Sequence, residues 1–130
     1  RWRDETFRPE AFLRPDPRLR GVLLRLASRY ALATVTNNPS GVGRRALTAL
    51  GVADLFPVVI GLDTTGVSKP HRKPFDTVCA YLRLPPERLL SVGDRYDVDL
   101  RVPLSMGMGG ILVEGVEDVY RLVEEGVVPL

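Results

Sequence analysis

The sequence predicts an α/β fold in which helices cover both sides of a parallel sheet. Four short apolar segments alternate along the chain with segments of helical periodicity. Three of the apolar segments run directly into polar loops. The chain has 130 residues, of which 45% are hydrophobic and 26% charged, a size and composition typical of one globular domain. Strands that alternate with helices of about a dozen residues favour a three-layer, Rossmann-like arrangement.

The chain begins with a charged segment, residues 1–17, which three prolines interrupt. We interpret it as a linker, because each proline disfavours helix at the residue before it. The first helix is predicted at residues 17–29. Asp16 is a candidate cap, Pro17 suits a first-turn position, and apolar residues follow at helical spacing.

In the middle of the chain the sequence predicts two strands with a helix between them. Residues 30–35 are apolar and partly β-branched, which is typical of a buried strand. A helix follows at residues 42–50, and Gly51 is a natural left-handed terminator for it. The second strand is predicted at residues 56–62, and a loop at residues 63–70.

The rest of the chain repeats the alternation. Helical periodicity and apolar runs predict, in order, a helix at 74–84, a strand at 89–92, a helix at 100–108, a strand at 110–113 and a helix at 118–125. Gly109 and Gly110 end the second of these helices. No internal repeat or low-complexity segment is present.

Composition excludes several classes of protein. The formal net charge is only +2, and the basic residues are interleaved with acids, so we expect no nucleic-acid partner. No apolar run approaches ~18 residues, which speaks against a membrane span. The single cysteine, Cys79, permits no internal disulfide and is predicted to be a buried core residue. We expect a cytoplasmic protein.

Polar clusters follow three of the predicted strands. Thr36 and Asn37 follow the first, Lys69 lies in the loop after the second, and three acids follow the third, namely Asp94, Asp97 and Asp99. Parallel α/β sheets bind their ligands at the carboxyl ends of the strands. We therefore expect these clusters to converge on one site.

Each cluster suits one part of an anionic site assisted by a metal ion. The Thr36 hydroxyl and the N–H groups of a helix start can hold phosphate oxygens. The competing interpretation is an ordinary helix cap by Asn38 or Ser40. The Lys69 ammonium can neutralise a phosphoryl group, although a surface lysine is usually only solvated. The acids suit Mg²⁺, or they simply favour the positive end of a helix dipole.

The order of these motifs resembles that of the haloacid dehalogenase superfamily. Val35-Thr36-Asn37 is similar to its second motif, and Ser68-Lys69-Pro70-His71 with Pro74-Phe75 is similar to its third. Ser91-Val92-Gly93-Asp94 with Asp99 is similar to its fourth. The resemblance implies that Thr36 and Lys69 bind the transferred phosphoryl group, together with Asn37. It also implies that Asp94 and Asp99 hold Mg²⁺, with Asp97 as a less certain neighbour.

The chain departs from the family pattern at its start. The first motif, an apolar strand that runs into Asp-x-Asp and supplies the aspartyl nucleophile, is absent. We therefore expect residues 18–130 to be a partial core that lacks its N-terminal central strand. Residues 1–17 would be the return from a cap domain that lies outside the chain.

The resemblance implies a Mg²⁺-dependent phosphohydrolase that acts on a small phosphorylated substrate through an aspartyl-phosphate. This chain alone is expected to be inactive. The alternative is a truncated, non-catalytic domain that serves as a binding or assembly module. In either case a strand-donating N-terminal segment or a second copy could fill the gap, as could residues 127–130, or the two edges could meet directly. His71, the only histidine, is predicted to be a solvent-facing loop residue.

Overall fold

A computed structural model describes residues 8–130. The part of the expected linker at residues 1–7 lies outside the described residues. Within the described range the strands are β1 (Ala33–Val35), β2 (Val58–Ile60), β3 (Leu90–Gly93) and β4 (Gly109–Leu112). The α-helices of that range are α1 (Pro17–Ala27), α2 (Ser40–Leu50), α3 (Leu62–Thr65), α4 (Arg72–Leu82), α5 (Arg101–Met106) and α6 (Val116–Glu124). A π-helical turn, Tyr96–Leu100, precedes α5.

The sheet is parallel, as predicted, but it is divided into two halves. β1 pairs with β2 and β3 pairs with β4, both in parallel. Between residues 8 and 130 these pairs form two separate two-stranded sheets, and β1 does not pair with β3. Each half is a βαβ unit, since α2 connects β1 to β2 and α5 connects β3 to β4. The chain is thus an α/β fold with an incomplete Rossmann-like sheet, and the two edges do not meet directly.

Two clusters of buried apolar side chains hold the elements together. The larger cluster joins α1 and α6, with Leu23, Leu26 and Leu122 among its members, and α2 packs against it through Leu47 and Leu50. The smaller cluster contains Phe75, Met106 and Met108, which join α4 to the end of α5. Cys79 was predicted to be buried, and it is only partly buried beside this smaller cluster.

Element boundaries differ from the predictions where local hydrogen bonds compete with the sheet. The first strand was predicted from residue 30 but begins at Ala33, because the Tyr30 N–H donates to the Leu26 carbonyl at 2.8 Å and extends the end of α1. The short helix α3 begins at Leu62, the last residue of the predicted second strand, and continues into the predicted loop 63–70. Its start is stabilised by the Thr64 hydroxyl, which accepts the Gly61 N–H at 3.0 Å. Gly51 ends α2 with φ 81°, as predicted.

No helix within residues 8–130 has both the length and the apolarity needed to cross a membrane. The expected boundary at residue 17 stays a prediction. Part of the segment before it packs on the fold, because Pro9 is fully buried and the Asp16 N–H donates to the Leu50 carbonyl at 3.1 Å.

Asp16 joins α1 to α6 as well as capping α1. One oxygen of its carboxylate accepts the Leu19 N–H at 2.9 Å, as the sequence predicted, and the other accepts the hydroxyl of the buried Tyr120. These two bonds, the Tyr120 bond first, hold the pKa of Asp16 below its usual range. The carboxylate therefore stabilises the fold at neutral pH.

Replacing Asp16 by alanine should lower the free energy of unfolding by about 1–2 kcal/mol at neutral pH, because the helix loses its cap and Tyr120 its acceptor. Because folding lowers the pKa of Asp16, its carboxylate gives this stabilisation fully above the pKa of the unfolded chain, about 3.9. The stabilisation is lost as the pH falls through the pKa that Asp16 has in the folded protein. Urea unfolding at pH 7 and pH 3 measures both effects. Asp16→Asn keeps a hydrogen-bond acceptor and should lose less free energy of unfolding than Asp16→Ala. An equal loss in the two variants would contradict the capping role of Asp16.

Candidate active site

The site lies where β1, the loop after β2 and β3 come together at their carboxyl ends. Asn37, directly after β1, holds the main chain of Lys69. Its Oδ1 accepts the Lys69 N–H at 2.7 Å, and its Nδ2 donates to the Lys69 carbonyl at 3.3 Å. The Lys69–Pro70 peptide bond is cis. The Asn37 side chain, which we expected to bind phosphate, thus also fixes the position of the Lys69 backbone.

Lys69 extends the contact to the third cluster. Its Nζ donates to Asp99 Oδ1 at 2.6 Å, and the two side chains are only 14% and 13% exposed. Asp99 Oδ2 accepts the Arg95 N–H at 3.2 Å, and the Asp99 carbonyl accepts the Ser91 hydroxyl at 2.9 Å. A continuous set of contacts therefore joins Asn37, Lys69 and Asp99 from three separate segments. An ammonium has three N–H donors, so two remain at Lys69 for an anion.

The three acids after β3 occupy different environments. Asp99 is bonded to Lys69, whereas Asp97 is 84% exposed and faces Arg101 at 3.8 Å. Asp94 is exposed, and its carboxylate makes no hydrogen bond or ion pair with any residue in the described part of the chain. The geometry separates Asp97 from the Lys69 contacts and leaves Asp94 open to a ligand.

These donors fit Mg²⁺ in part. Mg²⁺ in phosphoryl-transfer sites is usually held by one or two carboxylates, with water and phosphate as further ligands. Asp94 offers one carboxylate of this kind, and Asp99 would join it only by sharing its oxygens with Lys69. Residues 8–130 contain no group of three or more His, Cys, Asp or Glu side chains that could hold a metal ion. The metal-binding roles of Asp94 and Asp99 therefore stay predictions.

Thr36 lies at the end of β1, beside Asn37. Its N–H donates to the Ile60 carbonyl at 2.9 Å, which continues the ladder to β2, and its Oγ1 accepts the Asn38 N–H at 3.1 Å. The hydroxyl hydrogen is not used in that bond and can donate to an anion. The phosphate-binding roles of Thr36, Asn37 and Lys69 stay predictions.

The backbone N–H at the start of α2 donates a hydrogen bond to a side chain outside the helix. The Asp63 carboxylate accepts the Ser40 N–H at 2.6 Å and the Ser40 hydroxyl at 2.8 Å, and these bonds hold the pKa of Asp63 low. We expected either a phosphate or a cap from Asn38 or Ser40 at this position. The role of Asp63 could not be predicted, because a contact across 23 positions of sequence leaves no local pattern.

His71 forms the cap of α4. Its side chain is exposed, and Nδ1 accepts the Lys73 N–H at 3.0 Å. The structure thus agrees with the expectation of a solvent-facing residue.

Gly93 allows Asp99 to approach β3. A methyl group on Gly93 would lie 2.4 Å from Asp99 Cβ and 2.7 Å from Asp99 Oδ2, closer than atoms in proteins pack. Gly93→Ala should therefore displace Asp99 from Lys69 and lower the free energy of unfolding by about 1–3 kcal/mol. Gly21→Ala is a matched control in the middle of α1, where an added methyl group would have no other atom within 4 Å. This variant should raise the free energy of unfolding by about 0.5–1 kcal/mol. Urea unfolding of the three proteins measures this, and similar stabilities for both variants would contradict the close approach.

The chain has a parallel α/β fold with a candidate site at the carboxyl ends of its strands. Comparison with known proteins identifies the family of proteins to which it belongs. The family model described as haloacid dehalogenase-like hydrolase matches residues 2–113. The chain belongs to that family.

Individual relatives are phosphatases. The chain is 31% identical over 104 residues to the glyceraldehyde 3-phosphate phosphatase of Methanothermobacter thermautotrophicus, covering 79% of this chain and 46% of that protein. It is 37% identical over 79 residues to the phosphoglycolate phosphatase of Yersinia pseudotuberculosis, covering 60% of this chain and 34% of that protein. The chain therefore spans less than half the length of these relatives.

The fold also matches solved structures. A putative β-phosphoglucomutase from Thermotoga maritima superposes with a TM-score of 0.73 at 20% identity, covering 89% of this chain and 62% of that protein. This likeness shows the fold alone.

Proposed function

We propose that the complete protein hydrolyses small phosphomonoesters, and that this chain supplies the groups that bind and neutralise the transferred phosphoryl group. The contacts among Asn37, Lys69 and Asp99 carry the proposal. They hold one ammonium, with two free donors, at the carboxyl ends of the strands, where parallel α/β sheets bind ligands.

Each of the proposed binding residues has a different role. Lys69 offers a positive charge to the phosphoryl oxygens, and the Thr36 hydroxyl offers a further donor. Asn37 holds the Lys69 backbone and keeps a second Nδ2 hydrogen for the anion. Asp99 orients the ammonium and prevents it from moving into solvent. Donors that are fixed in advance stabilise the charge of a transition state without reorganising.

The nucleophile comes from sequence outside this chain. A carboxylate oxygen attacks phosphorus in line, the new O–P bond forms as the ester P–O bond breaks, and the alcohol leaves with a proton from a general acid. Water then attacks the aspartyl-phosphate, which releases inorganic phosphate and regenerates the carboxylate. Bound Mg²⁺, held by Asp94 with Asp99 as second acid, would supply neutralisation of phosphate charge.

The names of the relatives support the proposed substrate class. Their names specify phosphoglycolate and glyceraldehyde 3-phosphate, which are both small phosphorylated carbon compounds. A cytoplasmic location is also part of this proposal.

A phosphate-release assay tests the function. The complete protein should release phosphate from 2-phosphoglycolate, glyceraldehyde 3-phosphate or p-nitrophenyl phosphate when Mg²⁺ is present, and EDTA should abolish the release. The isolated 130-residue chain should be inactive. Activity of the isolated chain that survives Asp94→Asn would contradict the assignment. A complete protein without activity on any phosphomonoester would instead favour the non-catalytic binding module.

A further inference from the structure

The strand β4 has one edge that is paired and one that is not. β3 pairs with its inner edge, and no strand among residues 8–130 pairs with its outer edge. The outer edge lies on the side of β4 opposite β3, away from the gap between the two halves of the sheet. The backbone groups on this edge are therefore open to a partner.

The main-chain groups of two residues point to this outer edge. The Val113 N–H donates to the Gly93 carbonyl of β3 at 2.9 Å, so the groups of Val113 point inward. Successive residues of a strand point to opposite edges, so the N–H and carbonyl groups of Leu112 and Gly110 are set at the outer and those of residue 111 at the inner edge. Neither Gly110 nor Leu112 has a main-chain hydrogen-bond partner in the described part of the chain.

β4 lacks the features that usually protect an exposed edge strand. Such strands commonly carry charged side chains, prolines or bulges that prevent pairing with other strands. Residues 108–113 contain no charged residue and no proline. Leu112 is instead 56% exposed. An edge of this kind favours pairing with another strand.

The backbone of the strand is complementary to a second copy of itself. Two copies related by a twofold axis can pair their β4 strands antiparallel, with Ile111 opposite Ile111 of the second copy. In this register Gly110 lies opposite Leu112 of the second copy. The outward N–H and carbonyl groups of these two residues then face each other, so each such pair exchanges two hydrogen bonds.

The side chains fit in the same register. A methyl group on Gly110 would lie 3.1 Å from the Leu104 side chain of α5, so Gly110 and Leu112 belong to the sheet face that α5 covers. Opposite residues of an antiparallel pair share a face, so Leu112 of the second copy lies over Gly110 and beside Leu104. Leu104 is itself 41% exposed. A glycine and a leucine at this spacing match each other across a twofold axis, which favours a second copy over an unrelated strand.

We propose that two copies of this protein form a dimer through the outer edges of β4, paired antiparallel with Ile111 at the twofold axis. The sheet then continues from one copy into the other. The proposal does not rest on the proposed function, because none of Thr36, Lys69 and Asp94 contributes to this edge. Interfaces below about 1,200 Å² are typically weak, and β4 has only four residues, so we expect a concentration-dependent equilibrium of monomer and dimer.

Analytical ultracentrifugation of the complete protein tests the dimer. The unmodified protein should contain dimers at ~0.1 mM. Leu112→Lys places a charge against Leu104 of the second copy and should raise the dissociation constant of the dimer at least about tenfold. Leu24→Lys is the matched control, because Leu24 is 46% exposed on α1, and it should dimerise like the unmodified protein. Circular dichroism verifies that both variants fold.

Cysteine substitutions test the register. The two Ile111 Cα atoms would lie about 4.5 Å apart, which a disulfide can span, so Ile111→Cys should form a covalent dimer with oxidised glutathione. Leu112 lies diagonally from Leu112 of the second copy, at about 7–8 Å, so Leu112→Cys should cross-link much more slowly. Both variants are made with serine in place of Cys79 and of any cysteine outside this chain.

Hydrogen exchange on the unmodified protein tests the edge without any substitution. The amide hydrogens of Gly110 and Leu112 should exchange more slowly as the protein concentration rises, because they are bonded only in the dimer. Protection that does not depend on concentration would show that another segment of the complete protein covers this edge, which overturns the proposal.

The other measurements can also overturn the dimer. A protein that remains monomeric at ~0.1 mM contradicts it directly. Equal dissociation constants for Leu112→Lys and Leu24→Lys place the interface elsewhere. Cross-linking of Leu112→Cys that is as fast as that of Ile111→Cys excludes the antiparallel register.

Discussion

Replacing Lys69 by methionine in the complete protein should lower kcat by about 10²–10³-fold, because the transition state loses a fixed cationic donor. The chain has only one other lysine, Lys73, at the exposed start of α4, so Lys73→Met is a matched control and should leave kcat unchanged. Steady-state kinetics on both variants compare the two positions directly.

Removal of Lys69 also changes stability, since it leaves the Asp99 carboxylate, 13% exposed, without its partner. We expect a loss of about 3 kcal/mol at most, because a buried charge without a partner is costly and this pair retains some contact with water. Activity must therefore be measured at a temperature where circular dichroism shows the variant to be folded. A folded Lys69→Met protein with unchanged kcat would show that the ammonium takes no part in catalysis.

Replacing Asp94 by asparagine should raise the Mg²⁺ concentration for half-maximal activity by at least about tenfold and lower kcat, because Mg²⁺ prefers charged oxygen ligands. Asp97→Asn is the same change three positions away, on a side chain that is 84% exposed and faces Arg101. It should leave the Mg²⁺ requirement unchanged.

Mg²⁺ titrations of phosphatase activity measure both variants. A larger effect of Asp97→Asn than of Asp94→Asn would show that the principal metal-binding carboxylate is Asp97 rather than Asp94. Equal, small effects would indicate that neither carboxylate coordinates the metal ion.

The order of elements and the positions of the site clusters could be predicted from the sequence, because both depend on local patterns. Apolar periodicity indicated α1 and α4, and the pairing of Asp16 with Pro17 indicated where α1 begins. The carboxyl-end rule for parallel sheets predicted that Lys69 would lie near the residues after β3, and its contact with Asp99 agrees with that expectation.

The remaining features depend on contacts between distant segments. Asn37 holds Lys69 across 32 positions and Asp63 caps α2 across 23, and no local pattern in the sequence predicts either hydrogen bond. The shortening of the first strand results from one hydrogen bond of Tyr30, which competes locally with sheet pairing. The closeness of Gly93 to Asp99 becomes visible only in three dimensions, because glycines also follow strands for reasons of turn geometry.

A crystal structure of the complete protein with Mg²⁺ and inorganic phosphate tests the central claim most directly. The account predicts that the Thr36 hydroxyl and Lys69 Nζ lie about 3 Å from the phosphate oxygens and that Asp94 lies about 2.1 Å from the metal ion. A phosphate bound elsewhere, with Thr36, Lys69 and Asp94 facing different regions of solvent, would contradict it.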